Sequence, residues 1–174
     1  VYTNLDRDLQ RYAQQAIQGF TGAMVVLESD TGAVLALASS PGFDPNFFDP
    51  SHPYSSGGLA EIFGDPARPL YNRATRGEYP LGSVFKTITM AAAMESEYFD
   101  ASTIYNCGST FTELPGIELL DWTYEKGYPP QGEISLTQAL ERSCNPYFYH
   151  IGLELFEQDL PTALPEMARG FGLG

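Results

Sequence analysis

The segment Ser83–Met94 (SVFKTITMAAAM) limits what this chain can fold into more than any other. Its composition predicts a helix over 83–95, yet it carries one charge, Lys86, and has no polar face. A helix that is apolar all round has to be buried all round, so the remaining residues must build a shell for it. The chain has 174 residues, 43% of them hydrophobic, and a chain of that size buries roughly 70% of its unfolded surface. No metal or disulfide framework is needed to complete such a core.

The shell can be read in order along the chain. Residues 7–18 form an amphipathic helix, with Leu9, Tyr12, Ala13, Ala16 and Ile17 at helical spacing and Asp6 as its N-cap. Two β-rich runs, 23–28 and 33–38, flank the turn Ser29-Asp30-Thr31-Gly32 and predict a hairpin. Both runs are apolar enough to expect cover on both faces. Ser39 to Pro80 is rich in Pro, Gly, Ser and Asn and reads as a long structureless stretch, a feature that usually carries function. Asp100 to Gly132 reads as a second loop region. Ser135 and Gln138 have the spacing of a capping box, opening a helix to about Arg142. Pro146 suits the first position of a further helix through Phe156, and a short helix is expected over 161–169. The sum is an α/β architecture: a helical subdomain beside part of an antiparallel sheet.

Charge and cysteine usage exclude several functions. Nine Lys and Arg against 22 Asp and Glu leave a net charge of −13, which argues against nucleic acid and against an anionic membrane surface. Cys107 and Cys144 stand apart from any Cys-His cluster and are expected to be free thiols, with no metal or cofactor implied. No run approaches the ~20 apolar residues that span a bilayer. Residues 1–10 lack a leader's apolar core, and a start at Val1 predicts a processing boundary there.

Two places could carry chemistry. Lys86 is one of two lysines, in the first turn of the apolar helix, where desolvation should lower its pKa toward that of a general base. Ser83, three residues earlier, lies on the same helical face, so its hydroxyl is expected to reach the amine. A serine deprotonated by a neighbouring lysine is an acyl-transfer nucleophile. The plainer alternative is a helix cap at Ser83 and a lysine reaching solvent. Ser143-Cys144-Asn145 sits between two helices, where Ser143 could end one and Asn145 cap the next. Arg68, Arg73, Arg76 and Lys86 gather in one segment, to draw an anionic substrate or to balance neighbouring carboxylates.

Taken together, these residues resemble a known family. Tyr71-Asn72-Arg73-Ala74-Thr75-Arg76-Gly77 through Gly82-Ser83-Val84-Phe85-Lys86 looks like the active-site serine segment of penicillin-binding proteins. Ser143-Cys144-Asn145-Pro146-Tyr147-Phe148-Tyr149 looks like their second motif. The hairpin with Asp30-Thr31-Gly32, the 41–46 stretch and the leading 5–10 segment match in the same order. The likeness is greatest to the monofunctional, elongation-type transpeptidases. It implies a partial β-lactamase/transpeptidase-like fold and a serine D,D-transpeptidase that cross-links peptidoglycan stem peptides. Ser83 would be the nucleophile, Lys86 its base, Ser143 a proton relay and Asn145 the orienter of substrate and lysine. The backbone N–H of Ser83 would be one oxyanion donor, and β-lactam antibiotics would acylate the same serine.

The family's third motif, Lys-Thr-Gly or Lys-Ser-Gly, does not occur in these residues. The resemblance therefore implies that 1–174 is the N-terminal portion of a single, truncated transpeptidase domain, inactive alone. A dimer or companion chain would complete its sheet. It also implies the extracytoplasmic face of the bacterial cell membrane. The competing functions are a serine β-lactamase or D,D-carboxypeptidase, and a non-catalytic β-lactam sensor.

Overall fold

A computed structural model describes residues 2–173, in two compact units, Val1–Tyr79 and Pro80–Gly174.

In the first unit, α1 (Arg7–Ala16) is followed by the antiparallel pair β1 (Gly22–Leu27) and β2 (Val34–Ser40). Asp6 caps α1 as expected, its carboxylate accepting from the backbone N–H groups of Asp8 and Leu9. One α1 side chain fixes the helix on the sheet. The Gln10 amide donates to the Leu37 carbonyl (3.0 Å) and accepts from the Leu37 N–H (2.7 Å). Ala13, Ile17, Ala36 and Ala38 close this small core with Met24 and Val26. The strands are covered on one face only, contrary to the expectation for both: burial alternates along them, and Val25 and Leu27 are exposed.

The stretch 39–80 is not structureless. It holds a 3-10 turn (Pro45–Phe48), the helix α2 (Ser55–Gly64) and the short α3 (Arg73–Arg76). Polar capping organises it: Asp44 and Asn72 open two of these elements with their side chains. Arg73 is buried and its guanidinium donates to the carbonyls of Ala67, Arg68 and Tyr71. That arginine holds the loop's backbone rather than facing a substrate.

In the second unit the apolar segment begins as a 3-10 turn (Gly82–Phe85) and continues as α4 (Lys86–Glu95). The ladder β3 (Ile104–Cys107) pairs with β6 (Gly132–Ser135), and β4 (Thr110–Phe111) pairs with β5 (Leu119–Leu120). The region 100–132 is therefore built from short strands plus α5 (Trp122–Lys126). Then come α6 (Leu136–Glu141), α7 (Asn145–Glu157) and α8 (Ala163–Gly170). The Ser135–Gln138 capping box forms as its spacing predicts. α4 packs on α6, α7 and α8, with Ala92 and Ala93 joining Ile134, Leu136, Tyr147, Ile151 and Leu155 in the core. Small alanines let the helices approach closely. The cover is nevertheless incomplete, since Val84 and Met94 are exposed.

The two cysteines are not free thiols: Cys107 and Cys144 form a disulfide, both fully buried. The β3–β6 ladder brings the end of β3 back beside the α6–α7 turn, leaving the Cα atoms 6.3 Å apart, within bridging range. Cys144, not Asn145, is the N-cap of α7. The bridge spans a sequence separation of 37, for which loop closure contributes about 3–4 kcal/mol. A Cys107→Ser/Cys144→Ser variant should lose stability of that order in guanidinium unfolding followed by Trp122 fluorescence. The unreduced wild-type chain should show no titratable thiol when denatured. An equally stable variant would mean the bridge does not support this unit.

Candidate active site

Three pieces of the second unit deliver the candidate residues. Gly82 has φ +56°, a left-handed conformation that glycine adopts without steric penalty. It turns the chain sharply into the 3-10 segment, leaving Ser83 exposed at its outer end. Lys86 follows at the start of α4 with only 9% of its surface accessible. Ser143 lies between α6 and α7, also left-handed at φ +55°, which is uncommon for a residue bearing a Cβ. That conformation turns both its carbonyl and its hydroxyl toward Lys86.

The four predicted residues meet in one hydrogen-bonded cluster. The Lys86 ammonium donates to the Ser143 carbonyl (2.8 Å), the Ser143 Oγ (2.9 Å) and the Asn145 Oδ1 (2.5 Å). The Ser143 hydroxyl in turn donates to the Ser83 Oγ at 3.0 Å. An ammonium has three protons to donate, and all three are committed. The expected direct bond from Ser83 to Lys86 is therefore replaced by a bond through Ser143. The face of the Phe148 ring lies 5.4 Å from Nζ, a favourable cation–π distance.

Sequence reasoning missed Asp121, the N-cap of α5, which is completely buried. One oxygen accepts the Asn145 backbone N–H at 2.8 Å. The other accepts from the Thr123 N–H (3.2 Å) and hydroxyl (2.7 Å). An Asp-x-Thr sequence ahead of a short helix was a signal for the cap, but nothing in it announced burial. Cys107, Asp121 and Cys144 hold ligand-type atoms within 4.8 Å of one another. The disulfide consumes both sulfurs, so a single carboxylate is left for any cation.

Burial lowers the Lys86 pKa below 10.5, with the Asp121 charge acting in the opposite direction. The folded state thus binds fewer protons than the unfolded state between the lowered value and 10.5, and across that window stability rises with pH. Chemically, the neutral amine can accept a proton from Ser143 while Ser143 accepts one from Ser83. Both hydroxyls are able to reverse their donor and acceptor roles.

Residues 22–174 match the model of the penicillin binding protein transpeptidase domain. The chain belongs to that family. Among its relatives, the peptidoglycan D,D-transpeptidase MrdA of Escherichia coli is 34% identical over 158 residues, 89% of this chain and 24% of the relative. PbpA of Mycobacterium tuberculosis is 38% identical over 156 residues, 87% of this chain and 30% of the relative. The chain spans about a quarter to a third of these relatives' length. Among solved structures, penicillin-binding protein A from M. tuberculosis, as a ceftriaxone acyl-enzyme complex, superposes with a TM-score of 0.83 at 34% identity. It covers 98% of this chain and 39% of that one. A complex between a penicillin-binding protein (PBP2) and MreC from Helicobacter pylori superposes at 0.79 with 27% identity, covering 93% and 29%. The expected family and the mixed helix-and-sheet fold, partial relative to these domains, both hold.

With only two lysines, Lys86 and Lys126, the chain suits a direct measurement. In ¹³Cε-lysine NMR, assigned with Lys126→Arg, the Lys86 resonance should titrate below 10.5. A midpoint at or above that value would show that the ammonium is not desolvated.

Proposed function

We propose that this chain carries the acylation centre of a serine D,D-transpeptidase. Ser83 attacks the carbonyl of a D-Ala-D-Ala-terminated peptidoglycan stem peptide, and β-lactams acylate it as substrate mimics. The observation that carries the reading is the continuous path Ser83 Oγ–Ser143 Oγ–Lys86 Nζ, ending on a lysine whose pKa burial has lowered. Lys86 acts as the base and Ser143 carries the proton between it and Ser83, then returns it to the leaving amine. The Asn145 amide holds Lys86 through Oδ1, leaving its NH₂ for a substrate carbonyl. Ser83 precedes α4, whose first-turn N–H groups favour negative charge at the attacked carbonyl. The acyl group then passes to an amine of a second stem peptide.

The relatives MrdA and PbpA, both peptidoglycan D,D-transpeptidases, support the transpeptidase reading, and the family resemblance extends it to an elongation-type enzyme at the extracytoplasmic face of the membrane. The ceftriaxone, imipenem and penicillin G acyl-enzyme complexes of M. tuberculosis penicillin-binding protein A support acylation by β-lactams. The likeness to the MreC-bound protein extends the proposal to an MreC-type partner. Among the described residues no helix is long and apolar enough to cross a membrane. The 174 residues contain no Lys-Thr-Gly or Lys-Ser-Gly triplet, the motif that would supply a second oxyanion donor and an anchor for the substrate carboxylate.

Intact-mass spectrometry after incubation with penicillin G tests this reading. The 174-residue polypeptide should label slowly. A polypeptide that also carries the third motif should label faster, on the order of 10²–10³-fold for one oxyanion donor alone. Ser83→Ala should not label in either. Lys86→Ala in the longer polypeptide should slow labelling on the order of 10²–10⁴-fold. A persistent adduct is the transpeptidase outcome, whereas rapid release by water would move the assignment to a β-lactamase or carboxypeptidase. Equal labelling of Ser83→Ala would remove the nucleophile.

A further inference from the structure

We propose that Asp121 is a positioning residue: it holds the Asn145 backbone and thereby places the Asn145 amide against the Lys86 ammonium. Asp6, Asp44 and Asn72 also cap helical segments here, and all three are exposed. Asp121 does the same for a helix of five residues while 0% exposed. Burying a carboxylate is unfavourable unless it is fully hydrogen-bonded or balanced by charge, and a short surface helix does not require it. No cation lies within ion-pair distance of Asp121 among the described residues.

The employment of its two oxygens explains the burial. Oδ2 accepts both donors of Thr123, which fixes the carboxylate on its own helix. That leaves Oδ1 aimed at α7, where it accepts the Asn145 N–H. Cys144, the preceding residue, is tied to β3 by the disulfide. The Asn145 backbone is therefore held from both sides, and its side-chain oxygen is delivered to the Lys86 ammonium at 2.5 Å. The Lys86 ammonium faces Ser143, Asn145 and the Phe148 ring, none of which is charged. The disulfide sulfurs do not titrate. Asp121 is the charged group that acts on Lys86. One carboxylate thus orients the amide that holds the lysine, and its charge opposes the desolvation that lowers the lysine's pKa.

The proposal rests on the reading of Lys86 as the base, but its test reads ionisation and not acylation, so either can fail alone. The ¹³Cε-lysine titration is repeated on the chain carrying Asp121→Asn, which keeps the shape and a hydrogen-bond acceptor but removes the charge. Loss of an opposing negative charge should move the Lys86 midpoint to lower pH than in the wild type, with the Asn145 amide resonance displaced and Lys126 unmoved. A residue that merely supports the fold would do the reverse: loosened packing rehydrates Lys86 and its midpoint climbs toward 10.5. That climb, or no movement, overturns the proposal. Asp121→Glu keeps the charge and decides the matter if the Asn variant does not fold. A wild-type Lys86 midpoint with a displaced Asn145 amide then supports the proposal. A Lys86 midpoint that climbs toward 10.5 in the Glu variant overturns it.

Discussion

The second unit is arranged around a single desolvated ammonium. Lys86 has three protons, and the fold supplies three acceptors: a carbonyl and a hydroxyl from Ser143, and the amide oxygen of Asn145. A lysine this buried would be strongly destabilising without them. The placement of α6, of the turn after it and of α7 follows from that requirement. The left-handed backbone at Ser143 turns two acceptors from one residue toward the same nitrogen. The 3-10 turn before α4 leaves Ser83 outside this cage but within reach of its one hydroxyl. The site is thus an electrostatic solution to a burial problem, and its reactivity follows from the same source.

Local signals in the sequence were sufficient wherever the determinant was local. Asp6 ahead of an amphipathic run, and Ser135 three residues before Gln138, each satisfied backbone N–H groups as their spacing predicted. The apolar stretch around Lys86 announced a helix buried all round and a perturbed amine; the amine is perturbed, whereas the helix is covered only in part. What escaped reading depended on distant neighbours. The pairing of Cys107 with Cys144, 37 residues apart, requires β3 and β6 to meet, and two cysteines alone carry no trace of that. The bond from Ser83 runs through Ser143 because Lys86 spends its protons elsewhere, a fact of three dimensions. Asp121 passed unnoticed in a stretch read as loop, because nothing in its local sequence announces burial.

The loop-rich stretch before the site teaches a related lesson. Its Pro, Gly, Ser and Asn content suggested irregular chain, yet it contains α2 and α3. Asp44 and Asn72 cap the 3-10 turn and α3, and the buried Arg73 ties down the backbone between α2 and α3. Polar side chains bonded to backbone groups can order a segment whose composition reads as disorder. The hairpin shows the opposite case, where apolar content suggested two covered faces and alternation along β1 and β2 left one of them open.

The position of the disulfide gives the candidate site a chemical history as well as a shape. Cys144 stands between Ser143 and Asn145, so the middle residue of the triplet is fixed by a bond that translation does not make. Two electrons must leave the chain before that bond exists, and an oxidising environment is where such bonds form and persist. Two molecules of identical sequence can therefore differ in how firmly residues 143–145 are held, according to whether each has met an oxidant. The fixing of residues 143–145 is a maturation step, and it can be timed separately from synthesis.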